Sequence, residues 1–154
     1  MPTHAEKRVL PHTPEQMFDL VADIEKYPEF LPWCVATRIR ERIDNTVTAD
    51  MVIGFKVFRE RFTTTVTGHR PGRIDVAYTK GPFKYLNNHW IFEPHGGEGG
   101  EDHCLIDFYV DFEFRSGIFQ KAIGAVFNEA VRRMISAFEK RADKIYGVGR
   151  NPPS

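Results

Sequence analysis

The sequence predicts an α+β domain in which a curled antiparallel sheet closes around a long C-terminal helix, with a short helical corner after the first strand. Three observations predict it. Between Trp33 and Phe114 apolar side chains recur at every second position, as strands with one buried face require. The turns between these segments are short, which favours an antiparallel meander. From Phe119 to Phe138 the apolar period becomes helical, within a stretch of about thirty residues running from Ser116 to Gly147.

Taken in order, His4 to Leu10 reads as a strand that stops at Pro11. Thr13-Pro14-Glu15-Gln16 then combines an N-cap Thr, a Pro at the first helical position and a Gln at the third, so a helix starts there. Met17, Phe18 and Val21 give it a buried side. Asp23 caps a second short turn, while Tyr27-Pro28 and Leu31-Pro32 prevent a longer helix. Val35, Ile39 and Ile43 alternate with Arg38, Arg40 and Arg42, which places these arginines on one strand face. Asp44-Asn45 turns the chain into Val47, Ala49, Met51 and Ile53. Phe62 and Val66 alternate with Arg59, Arg61 and Thr65, and Pro71-Gly72 leads to Ile74, Val76 and Tyr78. Gly81-Pro82 breaks the pattern before Leu86, Trp90 and Phe92. His95 to Gly100 is a glycine-rich hairpin loop, and Cys104 to Phe114 is the cleanest alternation in the chain. Ser116 caps the final helix, which carries Gly124 at a cost of ~1 kcal/mol relative to Ala and with room there for a close approach or a bend.

At 154 residues the chain fits one domain, expected over 1–147 with a flexible tail at 148–154. Lys plus Arg equals Asp plus Glu at 21 each, so no global field draws it to nucleic acid, and no DNA partner is expected. Cys34 and Cys104 have neither redox nor metal-ligand spacing, which favours reduced thiols in a cytoplasmic protein and leaves one disulfide open. A sheet of this width cannot be covered by one helix. It must curl, and what the helix leaves uncovered is a cavity or a mouth, with Tyr27–Trp33 and Gly81-Pro82-Phe83 as natural lids.

Catalytic signatures are missing from the sequence. The six histidines form neither H-E-x-x-H nor H-x-H, and there is no G-x-S-x-G. Asp107, Asp111 and Glu113 share one strand face, the usual place for solvated acids. The expectation is a protein that is not an enzyme, with no catalytic residue and no metal site.

Asp23-Ile24-Glu25-Lys26-Tyr27-Pro28-Glu29-Phe30-Leu31-Pro32-Trp33-Cys34 resembles the coenzyme Q-binding START-domain family, part of the polyketide cyclase/dehydrase-like helix-grip superfamily. Gly81 to Leu86 running into Trp90, and Val110 to Ser116 followed by the helix with Arg132-Arg133-Met134, are similar to it as well. The resemblance spans nearly the entire chain. It implies a START-like helix-grip fold whose hydrophobic tunnel binds ubiquinone and supports respiratory electron transport as a carrier or chaperone. It also implies a transient inner-membrane surface as partner and a peripheral location there. Bacterial members of the family include ribosome-association toxins, so the ribosome large subunit is a second candidate partner. A polyketide cyclase or aromatase activity is a third reading, for which no acid/base pair is identifiable.

Candidate ligand residues follow from these two lines together. Tyr27, Phe30, Leu31, Pro32 and Trp33 either cap the core or form an entrance, where a Tyr hydroxyl or the indole N–H meets a quinone carbonyl. Phe119, Ile123, Phe127 and Met134 on the helix are core and, where a partner is lacking, pocket wall. Tyr78, Trp90, Phe108 and Phe112 form the opposite wall, and Phe83 sits at the second lid. A cavity of roughly 300–1,000 Å³ would enclose the head group and first isoprene units of ubiquinone or a similar polyisoprenoid lipid. Arg38, Arg40 and Arg42, joined by Arg59 and Arg61, are either a solvated sheet face or a patch for lipid head groups or RNA phosphates.

Overall fold

A computed structural model of the chain describes residues 3–55, 58–96 and 103–147. Seven strands, β1 (Thr3–Leu10), β2 (Cys34–Ile43), β3 (Thr46–Phe55), β4 (Phe58–His69), β5 (Arg73–Lys80), β6 (Phe83–His95) and β7 (His103–Phe114), form one antiparallel sheet. Their order is β1-β7-β6-β5-β4-β3-β2, so β2 to β7 form the expected meander and β1 closes it beside β7. The expected β6–β7 hairpin loop from 97 onward and the tail 148–154 lie outside the described residues.

Between β1 and β2 the chain forms α1 (Pro14–Ala22) and a 3₁₀ turn (Ile24–Glu29). The Thr13 hydroxyl accepts from the Gln16 N–H while the Gln16 side chain accepts from the Thr13 N–H, the reciprocal cap the sequence encodes. Met17, Phe18, Leu20 and Val21 bury the inner side of α1. Pro28 sits inside the 3₁₀ turn, where its missing N–H forbids regular helix.

The core lies between β7 and the C-terminal helix α3 (Phe127–Tyr146). On β7, Cys104, Ile106, Phe108, Val110, Phe112 and Phe114 are buried in strict alternation. On α3, Phe127, Val131, Ile135, Phe138 and Ala142 are buried at helical spacing. Rings lock the two together: Trp90 lies 4.7 Å from Phe108 and 5.1 Å from Phe138, and Phe112 lies 5.0 Å from Phe127. Each such buried side chain stabilises the fold by roughly 1.5–3 kcal/mol.

The long C-terminal helix is present as α3, and the bend that Gly124 allows is a full break: the helical stretch is α2 (Gly117–Gly124) followed by α3, with Ala125 and Val126 between them. Its N-terminal part packs on the end of β7 through Phe119 and Phe114, 5.4 Å apart, while α3 crosses the sheet at Phe112. One straight helix cannot follow both parts of a curled sheet, and Gly124, with the weakest helical preference short of Pro, marks the break. One expectation fails, that of a single arginine row. Bulges after Cys34 and after Ile39 shift the β2 register, so Arg38 stands opposite Asp50 but Arg42 stands opposite Val47. Partners an odd number of residues apart lie on opposite faces, so Arg42 is split from Arg38. The same irregularity leaves Val35 and Ile43 exposed on this edge strand.

Candidate functional site

A pocket of about 120 Å³ opens where α2 meets the ends of β3, β4 and β7. Trp33, Ile53, Gly54, Phe114, Phe119, Ala122, Ile123, Val126 and Ala130 line it, with Glu60 as its one titratable side chain. An opening of this volume takes about four carbon-sized groups at ~30 Å³ each, far less than the expected tunnel. Aromatic packing accounts for the difference. Phe83, expected in a lid, is buried among Phe62, Tyr78, Phe112 and Phe114 at 5.2, 5.4, 5.4 and 4.7 Å. Gly81 makes that possible, because at φ 146° a Cβ would come within 2.5 Å of the Phe62 Cβ.

Among the residues singled out by sequence, Trp33, Phe119 and Ile123 come together at the pocket. Phe83, Trp90, Phe108, Phe112 and Phe127 are buried core, and Tyr27, Phe30, Leu31, Tyr78 and Met134 pack against it half-buried. Pro32 is exposed. Gly54, Glu60, Phe114 and Ala122 were not among the sequence candidates.

Hydrogen bonding narrows the polar handles. The Tyr27 hydroxyl donates to the Val21 carbonyl, and burial holds its phenol well above the ordinary range. The Tyr78 hydroxyl oxygen accepts from the Phe83 N–H at 3.1 Å. The Trp33 indole N–H makes no hydrogen bond among the described residues and sits at the pocket. Its backbone is in the left-handed region at φ 68°, rare for a bulky residue and found most often where a site dictates it. Both cysteines are free and buried, and burial pushes the Cys34 thiol up to about 11 and the Cys104 thiol up to about 12. Neither is a thiolate at neutral pH, so neither is a nucleophile there.

A second concavity, a polar groove of about 650 Å³, runs between the 3₁₀ turn and the outer side of α3. Arg132, Arg133, Lys140, Arg141 and Lys144 line it against only Glu29 and Glu129. Arg141 donates to Glu29 at 2.6 Å and lies 5.0 Å over the Phe30 ring, while its Nε is buried with no partner among the described residues. Hydrogen bonds from Arg141 to Glu29, and from Arg133 and Arg132 to Glu129, hold both carboxyls below their usual range. Sequence reasoning missed this cluster because its cations lie on the polar side of an amphipathic helix, where charge is ordinary. Of the arginines it did choose, Arg40 is bound to Asp50 at 2.7 Å and Arg42 to Glu25 at 3.2 Å. Arg38, Arg59 and Arg61 are exposed.

Residues 10–139 match the family described as Polyketide cyclase / dehydrase and lipid transport. The Ribosome association toxin RatA of Rickettsia prowazekii (strain Madrid E) is 39% identical over 142 residues, covering 90% of this chain and 94% of that protein. Coenzyme Q-binding protein COQ10 homolog B, mitochondrial, of Xenopus laevis is 34% identical over 145 residues, covering 94% of this chain and 59% of that protein. The crystal structure of the Zhui aromatase/cyclase from Streptomyces sp. R1128 superposes with a TM-score of 0.80 over 93% of this chain and 94% of that one. At 11% identity that likeness shows the fold alone. The two named relatives are described by association and binding and not by a reaction. With the sheet wrapped on its terminal helix, as the Tyr27–Cys34 motif implied, and with the match running from Leu10 to Glu139, the chain belongs to the polyketide cyclase / dehydrase and lipid transport family.

Proposed function

We propose that this protein is a non-catalytic lipid-binding protein that takes ubiquinone, or a similar polyisoprenoid lipid, at the apolar pocket and acts as carrier or chaperone for respiratory electron transport. The pocket carries the reading: nine of its lining residues are uncharged, and the indole N–H of Trp33, without a hydrogen bond among the described residues, is there to meet a quinone carbonyl. A relative described as coenzyme Q-binding supports the ligand class. Because the pocket holds only about four carbons, binding requires it to widen. The element free to do so is α2, which buries no residue of its own. A quinone leaving a bilayer has already left water, so the pocket needs only to match the membrane for reversible exchange. Glu60 has no acid or base partner lining the pocket, which favours binding over catalysis. Lipid extraction of the purified protein with mass spectrometry, and titration with a one-isoprene ubiquinone, test the reading. Co-purified quinone and saturable binding are expected; the absence of both rejects the reading.

A second reading, attachment to the ribosome large subunit, is favoured by the cationic α3 groove and by the relative described as a ribosome association toxin. It predicts co-sedimentation with large subunits that falls steeply with salt, since each phosphate contact releases counterions. The binding should vanish in Arg133→Glu/Lys140→Glu. Loss instead on changing Arg38, Arg40 and Arg42 to Ala moves the contact to the sheet.

A further inference from the structure

We infer that the cationic groove between the 3₁₀ turn and α3 is a binding site for a compact polyphosphate, inorganic or carried on a nucleoside, with Arg141 as the residue that receives it. Cations on the outer side of an amphipathic helix are ordinary, so their number alone decides nothing. Their segregation does. All five Lys and Arg residues of α3 line the groove, and of its three acids only Glu129 does. The other two are turned away: Glu139 accepts from Arg8 on β1 at 3.2 Å, and Asp143 contacts His12 at 2.7 Å. Five cations therefore face two carboxylates, Glu29 and Glu129, in a chain whose Lys and Arg only balance its Asp and Glu. Neither Lys140 nor Lys144 donates to a carboxylate among the described residues.

The floor of the groove is small. Ser136 and Ala137 lie one turn from Arg132 and Arg133 on one side and one turn from Lys140 and Arg141 on the other. At 1.5 Å per residue these two cation pairs stand about 12 Å apart along the axis, so long side chains leaning inward over the floor converge on a short anion. A chain of two or three phosphates engages both pairs, and a lone phosphate fewer of the cations. The far wall is Glu29 and Phe30. Arg141 lies against it, only 15% exposed, 5.0 Å over the Phe30 ring and donating to Glu29 at 2.6 Å, with its Nε buried and unpartnered among the described residues. A guanidinium held on a ring presents a fixed fork, which matches phosphate oxygens two at a time. Glu29, itself 52% exposed, is the acceptor that an incoming phosphate displaces. The volume of about 650 Å³ suits a molecule of nucleotide size. The groove and the apolar pocket share no lining residue, so the inference holds whether or not the pocket takes a quinone.

Calorimetric titration of the full chain with inorganic tripolyphosphate, at about 0.15 M salt to screen loose surface attraction, tests this. Saturable one-to-one binding is expected, with inorganic phosphate about tenfold weaker or worse. Arg141→Lys keeps the charge but loses the fork, and should weaken tripolyphosphate about tenfold. Ala137→Met keeps every charge and fills the floor with a good helix former, so it should fold, as circular dichroism checks, and bind several-fold more weakly. Glu29→Gln removes the competing carboxylate and should tighten binding. No saturation by the wild type, or unchanged affinity in both Arg141→Lys and Ala137→Met, overturns the proposal and leaves only a diffuse positive field. A nucleoside triphosphate that binds more tightly than tripolyphosphate identifies the nucleoside as carrier, and equal binding makes the phosphate chain the whole of what is recognised. A single-stranded RNA oligonucleotide that binds wild type and Ala137→Met alike, and that tripolyphosphate does not displace, gives the groove to nucleic acid and overturns the proposal as well.

Discussion

The carbonyl of Trp33 accepts the backbone N–H of Gly54 at 2.8 Å, which pins a residue with left-handed backbone to the edge of β3 at the pocket. Left-handed backbone costs a non-glycine residue roughly 1–2 kcal/mol, so the fold holds the indole there against local preference. Trp33→Gly removes the ring and the strain together, whereas Trp33→Ala removes only the ring. Trp33→Gly should therefore be more stable than Trp33→Ala by about 1 kcal/mol in urea unfolding, with quinone binding weakened in both. Equal stability would mean that the backbone is not strained.

Asp50 is only 3% exposed and accepts from the Thr63 hydroxyl at 2.6 Å and from Arg40 Nε at 2.7 Å. Burial alone would raise its pKa, but the Thr63 and Arg40 hydrogen bonds outweigh it and hold the carboxyl below the usual range. A depressed folded pKa stabilises above the unfolded value near ~3.9 and loses that contribution as pH falls through the folded value. Asp50→Asn should cost about 2 kcal/mol at neutral pH. The gap from wild type, followed by denaturation, should stay constant down to about pH 5 and narrow below about pH 4. A gap that widens on acidification contradicts an ionised Asp50.

Buried His12 contacts Asp143 Oδ1 through Nε2 at 2.7 Å, tying the segment before α1 to the last turns of α3. His12→Ala leaves a void and an unpaired carboxylate, and should cost about 2–3 kcal/mol in thermal or urea unfolding. Ligand affinity measured on the folded fraction should be unaffected, since His12 does not line the pocket. A selective loss of affinity would link this pair to the site.

That pair also shows what the sequence hides. The Thr13–Gln16 cap and the β7 alternation were legible because each is a local pattern whose partners lie within a few residues. His12 and Asp143 are 131 residues apart, and nothing in either neighbourhood marks the other. At the pocket, Trp33 was legible from its motif, and Phe119 and Ile123 from the helical stripe. Gly54 and Ala122 were not, because small residues add little to an apolar period. Gly124 marked a place for a bend but not for a full break, because the apolar spacing continues across it and the curvature of the sheet decides how far the helix must turn.

Gly124 is exposed at the end of α2, and a Cβ added there meets nothing within 4 Å. Gly124→Ala should raise stability by about 0.5–1 kcal/mol through the unfolded chain and the helical preference of Ala. If α2 swings away to admit ligand, stiffening its junction with α3 should also slow quinone association in stopped-flow mixing. Faster or unchanged association in a more stable variant would argue that α2 is not the moving part.

Phe114 faces both demands at once: it is buried against Phe83 and Phe112, and it lines the pocket. Filling the interior with rings stabilises the sheet but leaves only about 120 Å³ for a ligand. Phe114→Ala should cost about 3–5 kcal/mol, a loss that a domain of ~5–15 kcal/mol can survive. The vacated volume joins the existing pocket, so a quinone of two or three isoprene units should bind more tightly than to wild type while the one-isoprene form gains less. Ligand should then restore part of the lost stability, read as a larger ligand-induced rise in Tm for the variant than for wild type. A variant that is destabilised by the expected amount yet shows no gain for the longer quinone would place the isoprenoid chain elsewhere, and would turn the pocket beside Phe114 into packing alone.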